Sequence, residues 1–169
     1  LKFELMTNHW TEEFHLGLQE IDEEDARKVV ETMDEEEINY RVNARRYQQD
    51  YIADYLEYLW EISPESFWKH VRATFNEEVG LLWSDNMFYY ERLCYEKIPS
   101  NILFVIVEYI GNCSDEEKQD LELLGCIIKS QVELHNRLLE IKNLISSLPK
   151  ANADIANRRI MQMINNPCN

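Results

Sequence analysis

The side chains that could do chemistry are few and far apart. The four histidines, His9, His15, His70 and His135, stand nowhere at the spacing that sets two ligands on one helix turn. A di-iron bundle needs Glu-x-x-His and a zinc-protease helix needs His-Glu-x-x-His, because residues three or four apart share a helix face. His-Glu-x-x-His does not occur, and Glu-x-x-His occurs once, at Glu12 to His15, where a di-iron bundle needs two. Cys94, Cys113, Cys126 and Cys168 are scattered, with no Cys-x-x-Cys pair and no histidine at zinc-ligand spacing. No metal or other cofactor is therefore expected.

Nucleophilic catalysis calls for a serine or cysteine beside a histidine, usually on a sharp turn. Gly-x-Ser-x-Gly is absent, and Cys113, just ahead of a helix start, is the one thiol placed where a helix dipole could activate it. It reads more simply as a loop cysteine. The four glycines are isolated, so no phosphate cradle can form from them. The expectation is no catalytic residue and no enzyme. The remaining alternative is an enzyme built from dispersed carboxylates, a class that motifs do not mark.

Recognition is the chemistry left. Tyr40, Ala44, Tyr47, Tyr51, Tyr55 and Tyr58 follow steps of four, three, four, four and three, the spacing of one helix face. Tyrosine joins apolar area to a polar tip, which suits either a core or a docking surface. Glu35, Glu36 and Glu37 stand just before this stripe. We take Tyr40, Tyr47, Tyr51, Tyr55, Tyr58 and Glu35 to Glu37 as the candidate partner-binding residues. Trp10, Trp60, Trp68 and Trp83 add possible anchors, two or more of them expected in the core. Arg41, Arg45, Arg46, Arg158 and Arg159 pair most simply with nearby carboxylates. His135, on an apolar stripe, reads as a hydrogen-bonded core or interface residue.

Charge narrows the partner. The 169 residues carry a net charge of −15 and a sequence pI near 4.6. Phosphate binding gains free energy when basic groups displace counterions, so general binding to nucleic acid or anionic membrane is disfavoured. A basic segment is attracted. The most apolar run, Ile102 to Val107, is far too short to cross a bilayer. Scattered cysteines in a chain with ample core suggest reduced thiols and an intracellular setting, cytoplasm or nucleus. Asn112, Cys113 and Ser114 match a glycosylation sequon, which matters only for a secreted protein.

The elements that must position these residues are helices. Only four glycines and four prolines punctuate the chain, too few for the many turns of a sandwich or barrel. Thr11 with Glu12 and Glu13 suggests a first helix start, Asp22 or Asp25 a second, and Asp34 a break. Glu35 to Ile62 reads as a single helix. Ser63, Pro64 and Glu65 restart the chain, since serine caps and proline fits the first helical position. Ser84 and Asp85 suggest another cap. The branched run Asn101 to Ile110 would be a strand by propensity. Lacking any partner strand, it reads as a buried helix ended by Gly111. Ser114 to Glu117 reads as a capping box opening one long helix near 115–148, about 34 residues and roughly 50 Å. Asn152 or Asp154 caps a last helix.

The expected fold is all-α: an irregular bundle or helical-repeat-like stack of about seven helices. It is read as one domain, 1–165, with a frayed tail at 166–169. The expected function is a non-enzymatic adaptor or assembly subunit, holding another protein's helix or basic peptide in an aromatic groove with an acidic rim. A homodimer through the apolar stripe from Leu121 to Leu148 is the further alternative.

Overall fold

The computed structural model describes residues 8–44, 49–73, 75 and 87–167, with side-chain surroundings for 13–42, 54–73, 75 and 91–167. The described residues contain ten helices and no strand. They are α1 (Asn8–Glu20), α2 (Glu23–Glu31), α3 (Glu35–Ala44), α4 (Gln49–Ile62), α5 (Pro64–Ala73), α6 (Met87–Tyr95), α7 (Ser100–Asn112), α8 (Lys118–His135), α9 (Leu138–Ser146) and α10 (Lys150–Asn165). The chain divides into two compact units, Leu1–Tyr89 and Tyr90–Asn169. No helix among the described residues is long and apolar enough to cross a membrane.

In the N-terminal unit, α5 packs on α3 and α4, while α1 and α2 cover the same core. Ala26, Val30, Ile38, Val42, Leu59, Phe67 and Val71 are buried there. Local sequence explains the boundaries. Asp34 caps α3, its Oδ1 accepting from the Glu37 N–H at 2.8 Å, and Ser63 Oγ accepts from the Ser66 N–H at 3.3 Å to open α5. The expected single helix from Glu35 to Ile62 is instead described as two, α3 and α4. Arg41 of α3 and Tyr55 of α4 both lie against Phe14. Fourteen positions on one straight helix would set their backbones about 21 Å apart. Ser84 and Asp85 lie outside the described residues.

The C-terminal unit is built from two helical hairpins, α7–α8 and α9–α10, the second stacked on the first through α10 against α7 and α8 and α9 against α7. The run Asn101 to Ile110 is helical, as expected from its lack of a partner strand. Ile102, Leu103, Ile106, Val107 and Ile110 are fully or almost fully buried. Fully burying side chains of this kind contributes about 2 kcal/mol each, which outweighs the modest helix propensity of branched residues. Gly111 does not end α7, which runs one residue further. Its role is close approach: a Cβ there would meet the Asn152 carbonyl oxygen at 2.8 Å and Ala156 Cβ at 3.3 Å.

The long helix expected near 115–148 is interrupted. Asn136 stands at φ 52, in the left-handed region, and separates α8 from α9. Its N–H donates to the Val132 carbonyl at 3.1 Å and that of Arg137 to Gln131 at 3.3 Å, satisfying the last acceptors of α8. The apolar stripe from Leu121 to Leu148 is therefore not one seam for a second copy, because such a seam requires a continuous helix. Ser114 to Glu117 form no capping box either. Ser114 Oγ accepts from Glu116 N–H at 3.1 Å within a turn, and α8 begins only at Lys118. The last helix starts at Lys150, earlier than Asn152.

Two arginines bind the C-terminal unit together. Arg159 Nη1 donates to the carbonyls of Ile110 (2.6 Å) and Cys113 (2.9 Å), and Nη2 to Asp115 at 2.6 Å. That closes the end of α7 with a charge that the carbonyl dipoles favour. Arg137 bridges α8, α9 and the segment before α7: it donates to the Ile98 carbonyl, to Gln131 Oε1 at 2.8 Å and to both oxygens of Glu140, at 3.1 and 2.7 Å. The guanidiniums hold the carboxyls of Asp115 and Glu140 below their ordinary range. Cys94 and Cys113 are thiols, but Cys126 is disulfide-bonded. The expectation of reduced cysteines is corrected there, since spacing along the chain does not reveal which distant cysteines meet.

Candidate functional site

The candidate partner-binding residues separate once folded. Tyr55 is only 1% exposed and belongs to the core of the N-terminal unit. Tyr40 and Tyr58 are half-buried, Tyr47 lies outside the described residues, and the side chain of Tyr51 does too. Glu35 and Glu36 are exposed in the first turn of α3, where carboxylates complement the helix dipole. Glu37 turns back to Arg41, whose Nη2 donates to its Oε1 at 2.9 Å. The Arg41 side chain is wholly buried, its guanidinium carbon 3.4 Å above the Phe14 ring centroid. Arg41 thus pairs with a near carboxylate, as anticipated. Trp60 and Trp68 are half-buried and meet Phe67 edge-on at 5.2 and 5.1 Å. Trp10 and Trp83 side chains lie outside the described residues.

Tyr55 is held by a histidine. His70 Nδ1 lies 2.7 Å from the Ser66 carbonyl, so that nitrogen carries the proton. Nε2 then accepts from the Tyr55 hydroxyl at 3.1 Å. Burial drives the His70 pKa down to about 4 and the Tyr55 phenol upward. A sign follows. The folded chain keeps His70 neutral while the unfolded chain protonates near 6.5, so stability is full above pH 6.5 and falls as pH drops from 6.5 toward 4. The expected loss is about 3 kcal/mol, read by urea unfolding at neutral and at acid pH. His70→Gln, which has no titration in that window, should flatten most of the slope; an unchanged slope would refute the assignment.

Beside this pair lies the arrangement with most capacity for recognition. A cleft of about 310 Å³ runs between α1 and α4. His15, Leu16 and Gln19 line it from α1, and Asp54, Glu57, Tyr58 and Glu61 from α4. The three carboxylates occupy one face of α4 because their steps are three and four. No described residue pairs with any of them, and no lysine or arginine is among the residues that line the cleft. Leu16 is half exposed at 51%.

His15 is 7% exposed, its ring tilted 5.4 Å from Tyr58 and edge-on to Tyr55 at 5.8 Å. Burial lowers its pKa, partly countered by Asp54. Its Nε2 is buried with no hydrogen-bond partner. Tyr58 donates its hydroxyl to the Leu18 carbonyl at 3.3 Å, joining α4 to α1. Of the residues singled out from sequence, the fold brings Tyr58 to this cleft; Asp54, Glu57, Glu61 and His15 were missed. The i, i+3, i+7 acid pattern on α4 was visible in the sequence, but its apposition to α1 was not.

The C-terminal unit holds a larger groove, about 620 Å³, between α8 and α10, walled by Leu121, Gly125, Cys126, Gln162 and Met163 among others. Arg159 in its wall is already committed to Asp115 and two carbonyls. His135 sits elsewhere on α8, donating from Nε2 to the Tyr95 carbonyl at 2.9 Å, so it is hydrogen-bonded as expected. Among the described residues, no group of three or more His, Cys, Asp or Glu could hold a metal ion. Set against known families, curated proteins and solved structures, the chain matches none of them.

Proposed function

We propose that this protein is a non-enzymatic interaction module whose N-terminal unit holds a basic segment of another protein in the cleft between α1 and α4. The observation that carries this reading is the set Asp54, Glu57 and Glu61: three carboxylates on one wall, none paired with a described residue. Unpaired like charges facing one concavity repel one another, and a cation from outside relieves that repulsion. The net charge of −15 steers such a partner toward the surface. Glu35 and Glu36, exposed on α3, add to the same field.

Titration of a fluorescent lysine-rich peptide tests it. The expected dissociation constant is on the order of ten micromolar at low salt. Affinity should fall roughly tenfold by about 0.3 M salt, as screening shortens the reach of exposed charges to a few ångströms. Binding that ignores salt, or is absent, would contradict the reading.

A further inference from the structure

The spacing of the three carboxylates constrains the shape of what they hold. Along α4, positions 54, 57 and 61 are separated by about 4.5 and 6.0 Å. An extended chain offers same-side residues about 6.7 Å apart at every step, so its cations drift out of register across the cleft. A helix offers the same alternation of three and four. Charge and spacing together favour an amphipathic helix with basic residues at i, i+4 and i+7, running antiparallel to α4.

A second observation, independent of the acids, concerns His15. This side chain is 7% exposed, forms part of the cleft wall, and has a buried Nε2 without a hydrogen-bond partner. Leaving such an atom unsatisfied costs about 1–3 kcal/mol, which a donor brought by an occupant would recover. An imidazole nitrogen can take a cationic N–H that carboxylates alone would hold without direction. The exposed Leu16 on the same wall matches the apolar edge of an amphipathic helix.

Resting on the interaction-module reading above, we infer that the partner is an amphipathic basic helix. It presents lysine or arginine residues at i, i+4 and i+7 to Glu61, Glu57 and Asp54 in that order, and gives one cationic N–H to His15. His15 is then the group that sets register, and the carboxylates supply attraction.

Two helical peptides of identical composition separate the ideas on the full chain. One carries lysines at i, i+4 and i+7; the other spreads the same lysines around the helix. The registered peptide should bind at least about tenfold tighter, a difference larger than one exposed ion pair supplies. His15→Phe, which keeps a ring against Tyr55 and Tyr58, should erase most of that preference. His15→Gln, which keeps an acceptor, should retain part of it. Equal binding of the two peptides, or a preference untouched in His15→Phe, overturns the helical register while the basic-segment reading survives. Failure of both peptides to bind overturns both. Should His15→Phe not fold, the peptide pair on the natural chain decides alone.

Discussion

Replacing Arg137 by Met should destabilise the C-terminal unit by about 3–5 kcal/mol, because two buried acceptors, the Ile98 carbonyl and Gln131 Oε1, lose a charged donor worth about 1.5–3 kcal/mol each. The Arg137 side chain is 3% exposed, and its guanidinium serves four groups at once: the Ile98 carbonyl, Gln131, Glu140 and Ser100. Methionine fills much the same volume but donates nothing. The Ile98 carbonyl then loses this donor inside the core, and Glu140 loses the cation that holds its carboxyl below the ordinary range. Gln131 keeps its own links to Leu93, Glu96 and Ile98, so the damage centres on the α8–α9 break. At a slope of about 2 kcal/mol per molar, the urea midpoint should drop by roughly 2 M. Glu140→Gln, which leaves the buried acceptors served, should cost only about 1 kcal/mol. Equal loss from both variants would mean that the surface ion pair, not the buried hub, carries the stability.

The second large effect concerns binding. The triple variant Asp54→Asn, Glu57→Gln and Glu61→Gln keeps the shape of α4 and removes its three charges. Each pairing with a partner cation contributes about 0.7 kcal/mol in a half-exposed site, so their joint loss is about 2 kcal/mol, roughly a thirtyfold weaker complex. Folding should be unaffected or slightly improved, because none of the three is paired with a described residue and their mutual repulsion disappears. A charge change of the same size elsewhere separates the cleft from the general field. Glu116→Gln, Glu117→Gln and Glu122→Gln, all exposed on the C-terminal unit, should weaken binding far less.

How much of this was legible depended on the range of the interaction. The cap at Ser63 was readable because its side chain bonds its own backbone three residues on, whereas Asp34 read only as a break and proves to cap α3 in the same way. The helical state of the branched run in α7 was readable by elimination, since no second strand existed to pair with it. The break at Asn136 was hidden. Glycine is the usual left-handed residue, and asparagine in that place looks like any polar position on a helix surface. Arg137 and Arg159 were hidden in part because they also reach the carbonyls of Ile98, Ile110 and Cys113, which are distant in sequence and carry no residue-type signal. The aromatic stripe was real as spacing, but α3 and α4 divide it, and Tyr55 goes to the core against His70. The acids of α4 acquire meaning only when α1 brings His15 and Leu16 across from them.

Calorimetric titration of the registered basic peptide into the natural chain and into the Asp54, Glu57 and Glu61 triple variant reads the cleft most directly. Binding to the natural chain that weakens roughly thirtyfold in the cleft variant, and barely in the charge-matched control, is the result expected. Indistinguishable binding by all three chains would contradict it, because the negative field at large, rather than these three carboxylates, would then be what holds the peptide.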